Sequence, residues 1–290
     1  MNRRDLLKTA MLGASALALR PALARTVVET DVEARLAALE RRHGGRLGVA
    51  ILDTGDGRRF GHRADERFLM CSTHKVLAVG AVLARVDRGE ESLDRRVVFG
   101  RDVVLSWAPV TSHRVGAPGM SVAELCEATI TVSDNTADNL LLASLGGPPA
   151  VTAFARRLGD TLTRLDRIEP DLNAGGNGDV RDTTTPNAML GSLRTLMLGD
   201  ALSAASRDRL AAWMRATRTG LDKLRAGVPG DWRAGDKTGS GANGESNDVA
   251  ILWPPRRKPV LVTAYCVNPA AGATARSAVL AEVGRIAASV

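Results

Sequence analysis

The sequence predicts an α/β protein of the α+β type. A five-stranded antiparallel sheet is flanked by N- and C-terminal helices and stands beside an all-helical lobe, with the active site in the cleft between. Three observations predict it. Strand-like segments occur only near the two ends of the chain, so the ends must co-assemble into one sheet. The middle repeats apolar residues at helical spacing. A single long Gly-, Pro- and Asp-rich loop, about residues 163–186, interrupts that middle, and structureless loops of such length are often functional.

Residues 1–24 are set aside from the fold. Arg3, Arg4 and Lys8 precede a short apolar run from Thr9 to Leu19, and Ala22 and Ala24 supply a small-residue cleavage site. The Arg3-Arg4 pair followed by Leu6, Leu7 and Lys8 resembles a twin-arginine export signal, which predicts a periplasmic or secreted protein. The apolar run is shorter than the ~20 residues needed to span a bilayer, so no stable membrane association is expected after cleavage.

The elements follow in order. Val32, Leu36 and Leu39 have helical spacing over 31–43. Leu47–Leu52 reads as a buried strand, Thr54–Gly57 as a turn and Arg59–His62 as a returning strand. Helices are predicted at 72–88, 121–130, 135–144, 149–158, 187–198 and 203–216, then strands near 231–238, 247–253 and 259–266 and a helix at 274–288. The α/β lobe therefore comprises 25–66 and 216–290, and the all-α lobe 67–215, including a loop at 164–182.

Composition narrows the function. With 290 residues, 44% hydrophobic and 24% charged, the chain can bury a large core without staples. The net charge is +7, of which the first 24 residues supply +3, and no Lys/Arg block forms a nucleic-acid arm. Aromatic residues are 3%, too few for base-stacking platforms, so nucleic acid is excluded as a partner. Cys71, Cys126 and Cys266 are widely spaced and the four His are scattered, so no metal or other cofactor is expected. The protein is expected to be a monomer acting on a small molecule.

Three motifs carry chemistry. Ser72 and Lys75, three residues apart at a helix start, share a face, and a partly desolvated lysine can take a serine's proton. Ser133-Asp134-Asn135 lies where two helical patterns meet and offers a second hydroxyl and an amide. Lys237-Thr238-Gly239 ends a strand, with a cation and a hydroxyl suited to a carboxylate and a glycine that admits close backbone approach. Each alone is an ordinary cap or strand end. In this order they match the set shared by class A β-lactamases and penicillin-binding proteins.

The sequence resembles the class A β-lactamase family over essentially the whole mature chain. RFLMCSTHK at 67–75, ITVSDNTADNLL at 130–141, RLDRIEPDLN at 164–173 and DVRDTTTP at 179–186 carry the resemblance, the last two matching the family's Ω-loop. The resemblance implies that Ser72 attacks a β-lactam carbonyl, with its own N–H and that of Ser240 as oxyanion hole. Lys75 and Glu169 compete as acylation base; Glu169 activates the deacylating water, with Asn173 helping to hold it. Ser133 returns the proton to the ring nitrogen, and Asn135 binds the substrate's side-chain amide. Lys237, Thr238 and Ser240 hold its carboxylate, Trp107 lines the cleft mouth, and Arg167 and Asp182 pin the Ω-loop.

Departures from the family pattern bear on the details. Val79 and Gly241 occupy the positions that in some members pair with the cysteines at 126 and 71, so three free thiols are expected. Ser246 stands where some members place an arginine supporting the carboxylate site. Arg276 is the first candidate to replace that cation and Lys223 the second. His74 replaces a frequent aromatic and is expected to serve packing. A penicillin-binding transpeptidase or carboxypeptidase shares the first three motifs but lacks a poised Glu169. A sensor that stays acylated would need a transmembrane segment and a signalling partner.

Overall fold

The computed structural model describes residues 31–176 and 178–290. The predicted export signal at 1–24 lies outside them.

Helix α1 (31–43) leads into β1 (Arg46–Asp53), which turns back through β2 (Arg59–His62). After β3 (Phe68–Leu69) comes a 3₁₀ turn, Cys71–His74, that runs into α2 (Lys75–Asp87). Then follow β4 (Arg96–Val97), β5 (Met120–Ser121), α3 (Val122–Thr131), α4 (Asn135–Leu145) and α5 (Pro148–Arg157). The long loop contains β6 (Thr183–Thr184) and leads to α6 (Pro186–Leu198) and α7 (Ala204–Arg215). The chain closes with β7 (Arg233–Ser240), β8 (Glu245–Trp253), β9 (Val260–Val267) and α8 (Ala273–Ala288).

The sheet has the order β2-β1-β9-β8-β7 and is antiparallel throughout, joining the two ends of the chain as expected. Its inner strands are apolar on both faces because both faces are covered. On one face Val49, Ile51, Val262 and Ala264 pack with Leu36 and Leu39 of α1 and with Leu280, Val283 and Ile286 of α8. On the other, Ala50, Leu52, Val249, Ile251 and Leu261 join a larger core with the helices α2 to α7. Helix α2 runs through the middle of that core, with ten consecutive residues from Lys75 to Ala84 buried.

Local chemistry places the helix starts. Ser121 and Glu124 form a reciprocal capping box on α3, Asp134 caps α4 through the Ala137 N–H (2.9 Å), and Thr185 and Ser203 cap α6 and α7. Two expectations are corrected. Ser72 does not open an α-helix but sits on a 3₁₀ turn, and the α-helix begins at Lys75. The middle of the chain is not purely helical, since β3 pairs with β6 and β4 with β5 as two-residue ladders. Ladders that short carry no readable alternation in sequence.

Candidate active site

The turn that carries Ser72 is gripped from several sides. Met70 N donates to the Asp182 carbonyl (2.9 Å), and Asn247 Nδ2, from β8, donates to the carbonyls of Leu69 (2.9 Å) and Met70 (3.1 Å). Cys71 has φ 46°, a left-handed conformation uncommon for a residue with a Cβ. Gly239 packs directly on this turn: a Cβ there would lie 2.7 Å from Met70 O and 3.2 Å from Ser72 N. The glycine of Lys237-Thr238-Gly239 thus admits the backbone of the Ser72 turn, and it also lines the cleft.

The turn brings Ser72 to a cleft of about 680 Å³, lined also by Trp107, Ser133, Asn135, Asn173, Thr238, Ser240, Lys223 and Arg276. Trp107 is 54% exposed, as a residue at the mouth should be, and its Nε1–H donates to Val132 O at 3.1 Å. Among the charged side chains around Ser72, Lys75, Lys237 and Glu169 lie deeply buried, all at most 2% exposed.

Ser72 Oγ donates to Glu169 Oε1 at 3.2 Å, and Lys75 Nζ is 3.0 Å from the same oxygen. Lys75 Nζ also donates to Ser133 O (3.0 Å), Ser133 Oγ (3.3 Å) and Asn135 Oδ1 (2.6 Å). Lys237 Nζ reaches Ser133 Oγ from the other side at 3.0 Å. Ser133 therefore sits between two ammonium groups, its φ of 59° again in the left-handed region. Burial, and the nearby charge of Lys75, lower the Lys237 ammonium to about 7 against the pull of Asp236, Asp248 and Glu169.

Glu169 is held at both ends. Its N–H donates to Asn139 Oδ1 (3.0 Å), its carbonyl accepts from Asn139 Nδ2 (2.9 Å), and Asn173 Nδ2 donates to Oε2 (2.6 Å). Behind it Arg167 Nε donates to Asp182 Oδ2 (2.5 Å), while Asp182 Oδ1 accepts from the N–H groups of Asp166 (2.7 Å) and Arg167 (2.9 Å).

The structure thus brings together every residue that the motifs singled out. It also separates the two cation candidates. Lys223, 6% exposed, donates to Ser246 Oγ at 3.0 Å, on β8 opposite Ser240 in the β7 register. Arg276 lines the same cleft, but its Nη1 is engaged with the carbonyls of Asn268 (3.1 Å) and Ala271. Sequence reasoning missed Asn139, Asn247 and Thr219, whose Oγ1 is 2.7 Å from Thr238 Oγ1. Asn139 was within reach, four residues from Asn135 and so on the same helical face. His74 is packed as expected, 0% exposed, and its ring also makes two polar contacts, to Cys71 O and Asp138 Oδ2 (each 2.8 Å).

Fold and cleft together define an enzyme with an active-site serine set between an α/β layer and a helical lobe. A family model described as the Beta-lactamase enzyme family matches residues 31–290. A β-lactamase of Streptomyces fradiae is 48% identical over 98% of this chain and 95% of its own. β-Lactamase L2 of Stenotrophomonas maltophilia is 48% identical over 94% and 93%. The solved class A β-lactamase of the last common ancestor of Gram-negative bacteria aligns with a TM-score of 0.86 and 59% identity, over 88% of this chain and 97% of that one. The chain belongs to the β-lactamase enzyme family, in its class A serine branch.

Proposed function

We propose that the protein hydrolyses the β-lactam ring of penicillins and cephalosporins through an acyl-enzyme on Ser72, and so confers resistance to them. The substrate carboxylate binds Lys237, Thr238 and Ser240, with Lys223 as the supporting cation, and Asn135 takes the side-chain amide. Ser72 Oγ loses its proton to the Lys75–Glu169 pair, which acts as one accepting unit because both groups meet at Glu169 Oε1. The Oγ–carbonyl bond forms, the oxyanion rests on the N–H groups of Ser72 and Ser240, and the ring C–N bond breaks. Ser133, between Lys75 and Lys237, delivers a proton to the ring nitrogen and is reprotonated through Lys75. Glu169 then deprotonates a water that Asn173 helps to hold. That water attacks the ester, and Ser72 leaves with a proton.

One observation carries the hydrolase reading over a serine that stays acylated: Glu169 Oε1 lies 3.2 Å from Ser72 Oγ, and its residue is clamped by Asn139 and Asn173. The test is turnover of a chromogenic cephalosporin. Steady turnover is expected; a single burst would favour a penicillin-binding protein or sensor. Glu169→Ala leaves Lys75 as the remaining base for Ser72, so it should still acylate but accumulate an acyl-enzyme visible by mass spectrometry. Parental turnover in that variant would overturn the assignment of Glu169.

A further inference from the structure

His74 and Asp138 form a fully buried pair with no part in the reaction just described. Both are 0% exposed and they meet at 2.8 Å, directly behind the nucleophile turn. His74 Nδ1 faces the Cys71 carbonyl at 2.8 Å, and its Nε2 faces Asp138 Oδ2. A carbonyl only accepts, so Nδ1 carries a hydrogen. Nε2 faces a carboxylate oxygen, which calls for a second. Burial would push both groups toward neutrality. For His74 the charge and hydrogen bond of Asp138, helped by Glu169 and opposed by Lys75, outweigh it and raise the imidazole above its ordinary value. For Asp138 the same bond, with Lys75 and Lys237, brings the carboxyl below its ordinary value. The second oxygen, Asp138 Oδ1, is buried without a hydrogen-bond partner among the described residues, so His74 is the carboxylate's hydrogen-bonding counterpart there.

The Cys71 carbonyl belongs to the peptide whose N–H is that of Ser72. A peptide unit is planar, so holding its oxygen sets the direction of the following N–H. That peptide follows a residue in the left-handed region, where the backbone needs outside support to stay. Resting on the reading of the Ser72 N–H as an oxyanion donor, we propose that His74 is a positioning residue for the oxyanion hole. As an imidazolium held by Asp138, it clamps the Cys71 carbonyl, fixing and polarising the Cys71–Ser72 peptide. Polarisation runs along the hydrogen-bonded chain from ring to carbonyl to amide, making Ser72 N–H a stronger donor to the developing negative charge.

The trapped acyl-enzyme of Glu169→Ala gives a direct readout, because the ester carbonyl stretch reports the hydrogen bonds it receives. Adding Asp138→Asn keeps the shape and a hydrogen bond to Nε2 but leaves His74 neutral. The carbonyl stretch should move to higher frequency. Acylation should slow about tenfold, less than the ~10²-fold or more lost with an oxyanion donor itself, while substrate affinity holds. His74→Gln, whose amide can still donate to the Cys71 carbonyl, should show the same shift, so the result does not hang on one variant folding. In the unaltered enzyme, ¹⁵N NMR should find both ring nitrogens of His74 protonated at neutral pH. An unchanged carbonyl stretch in both variants, or a neutral ring in the parent, would overturn the inference. Absence of any acyl-enzyme in Glu169→Ala would instead overturn the Ser72 reading, and this inference with it.

Discussion

At the scale of single residues, the motifs name the groups proposed to react but not the cation beside them. Sequence alone ranks Arg276 first and Lys223 second without a deciding signal, because surface cations are common in this chain and neither lies in a motif. The structure favours Lys223, which is buried against Ser246 at 3.0 Å, whereas Arg276 spends its Nη1 on two carbonyls. Burial lowers the Lys223 ammonium while Asp248, Asp222 and Asp236 oppose that, so a substrate carboxylate would meet a group with little solvent to screen it. Lys223→Ala should raise KM for carboxylate-bearing substrates about tenfold, roughly the ~1.5 kcal/mol of one charge-assisted hydrogen bond. Arg276→Ala should move KM much less. Steady-state kinetics on the two variants decide between them, and the reverse order would return the role to Arg276.

At the scale of elements, the Ω-loop is organised from Asp182 outward. This carboxylate is 0% exposed and serves Arg167 and two backbone N–H groups, while the residue's backbone carbonyl accepts from Met70 N–H, two residues before Ser72. One residue therefore ties the loop bearing Glu169 to the turn bearing Ser72. Asp182→Ala would leave the part-buried Arg167 guanidinium without its carboxylate. It should cost about 3 kcal/mol of stability, the scale for breaking a buried pair, and should slow deacylation as Glu169 loses its setting. Denaturant midpoints and the lifetime of the acyl-enzyme check both effects. A parental midpoint would show that the pair does not anchor the loop. The loop's length and its Asp and Arg residues were legible in the sequence. The pairing of Arg167 with Asp182 was implied by family resemblance alone, since two charges fifteen positions apart, with no hydrophobic periodicity between them, do not reveal from sequence that they meet.

At the scale of the whole molecule, the sheet divides two cores. The three cysteines are distributed through them, with Cys126 in the helical core, Cys266 in the core under α1 and α8, and Cys71 at the active-site turn. All are buried free thiols, and burial raises each above its ordinary value, Cys266 to about 11. The native protein should therefore react negligibly with thiol reagents at neutral pH, and unfolding without reductant should release three titratable thiols. Fewer than three would reveal a disulfide.

By itself the sequence determined the sheet's composition from both chain ends, the helical middle and the identities of Ser72, Lys75, Ser133, Glu169 and Lys237. Hydrophobic period is a local property, and short motifs are read along the chain. Only tertiary structure decided which of the two cations is buried beside the carboxylate site, why Gly239 must lack a side chain and what His74 touches. Each of those depends on residues from separate elements meeting in space, Lys223 with Ser246 and His74 with Asp138. Such contacts leave no periodic trace in one sequence, because packing, not spacing along the chain, selects the partner.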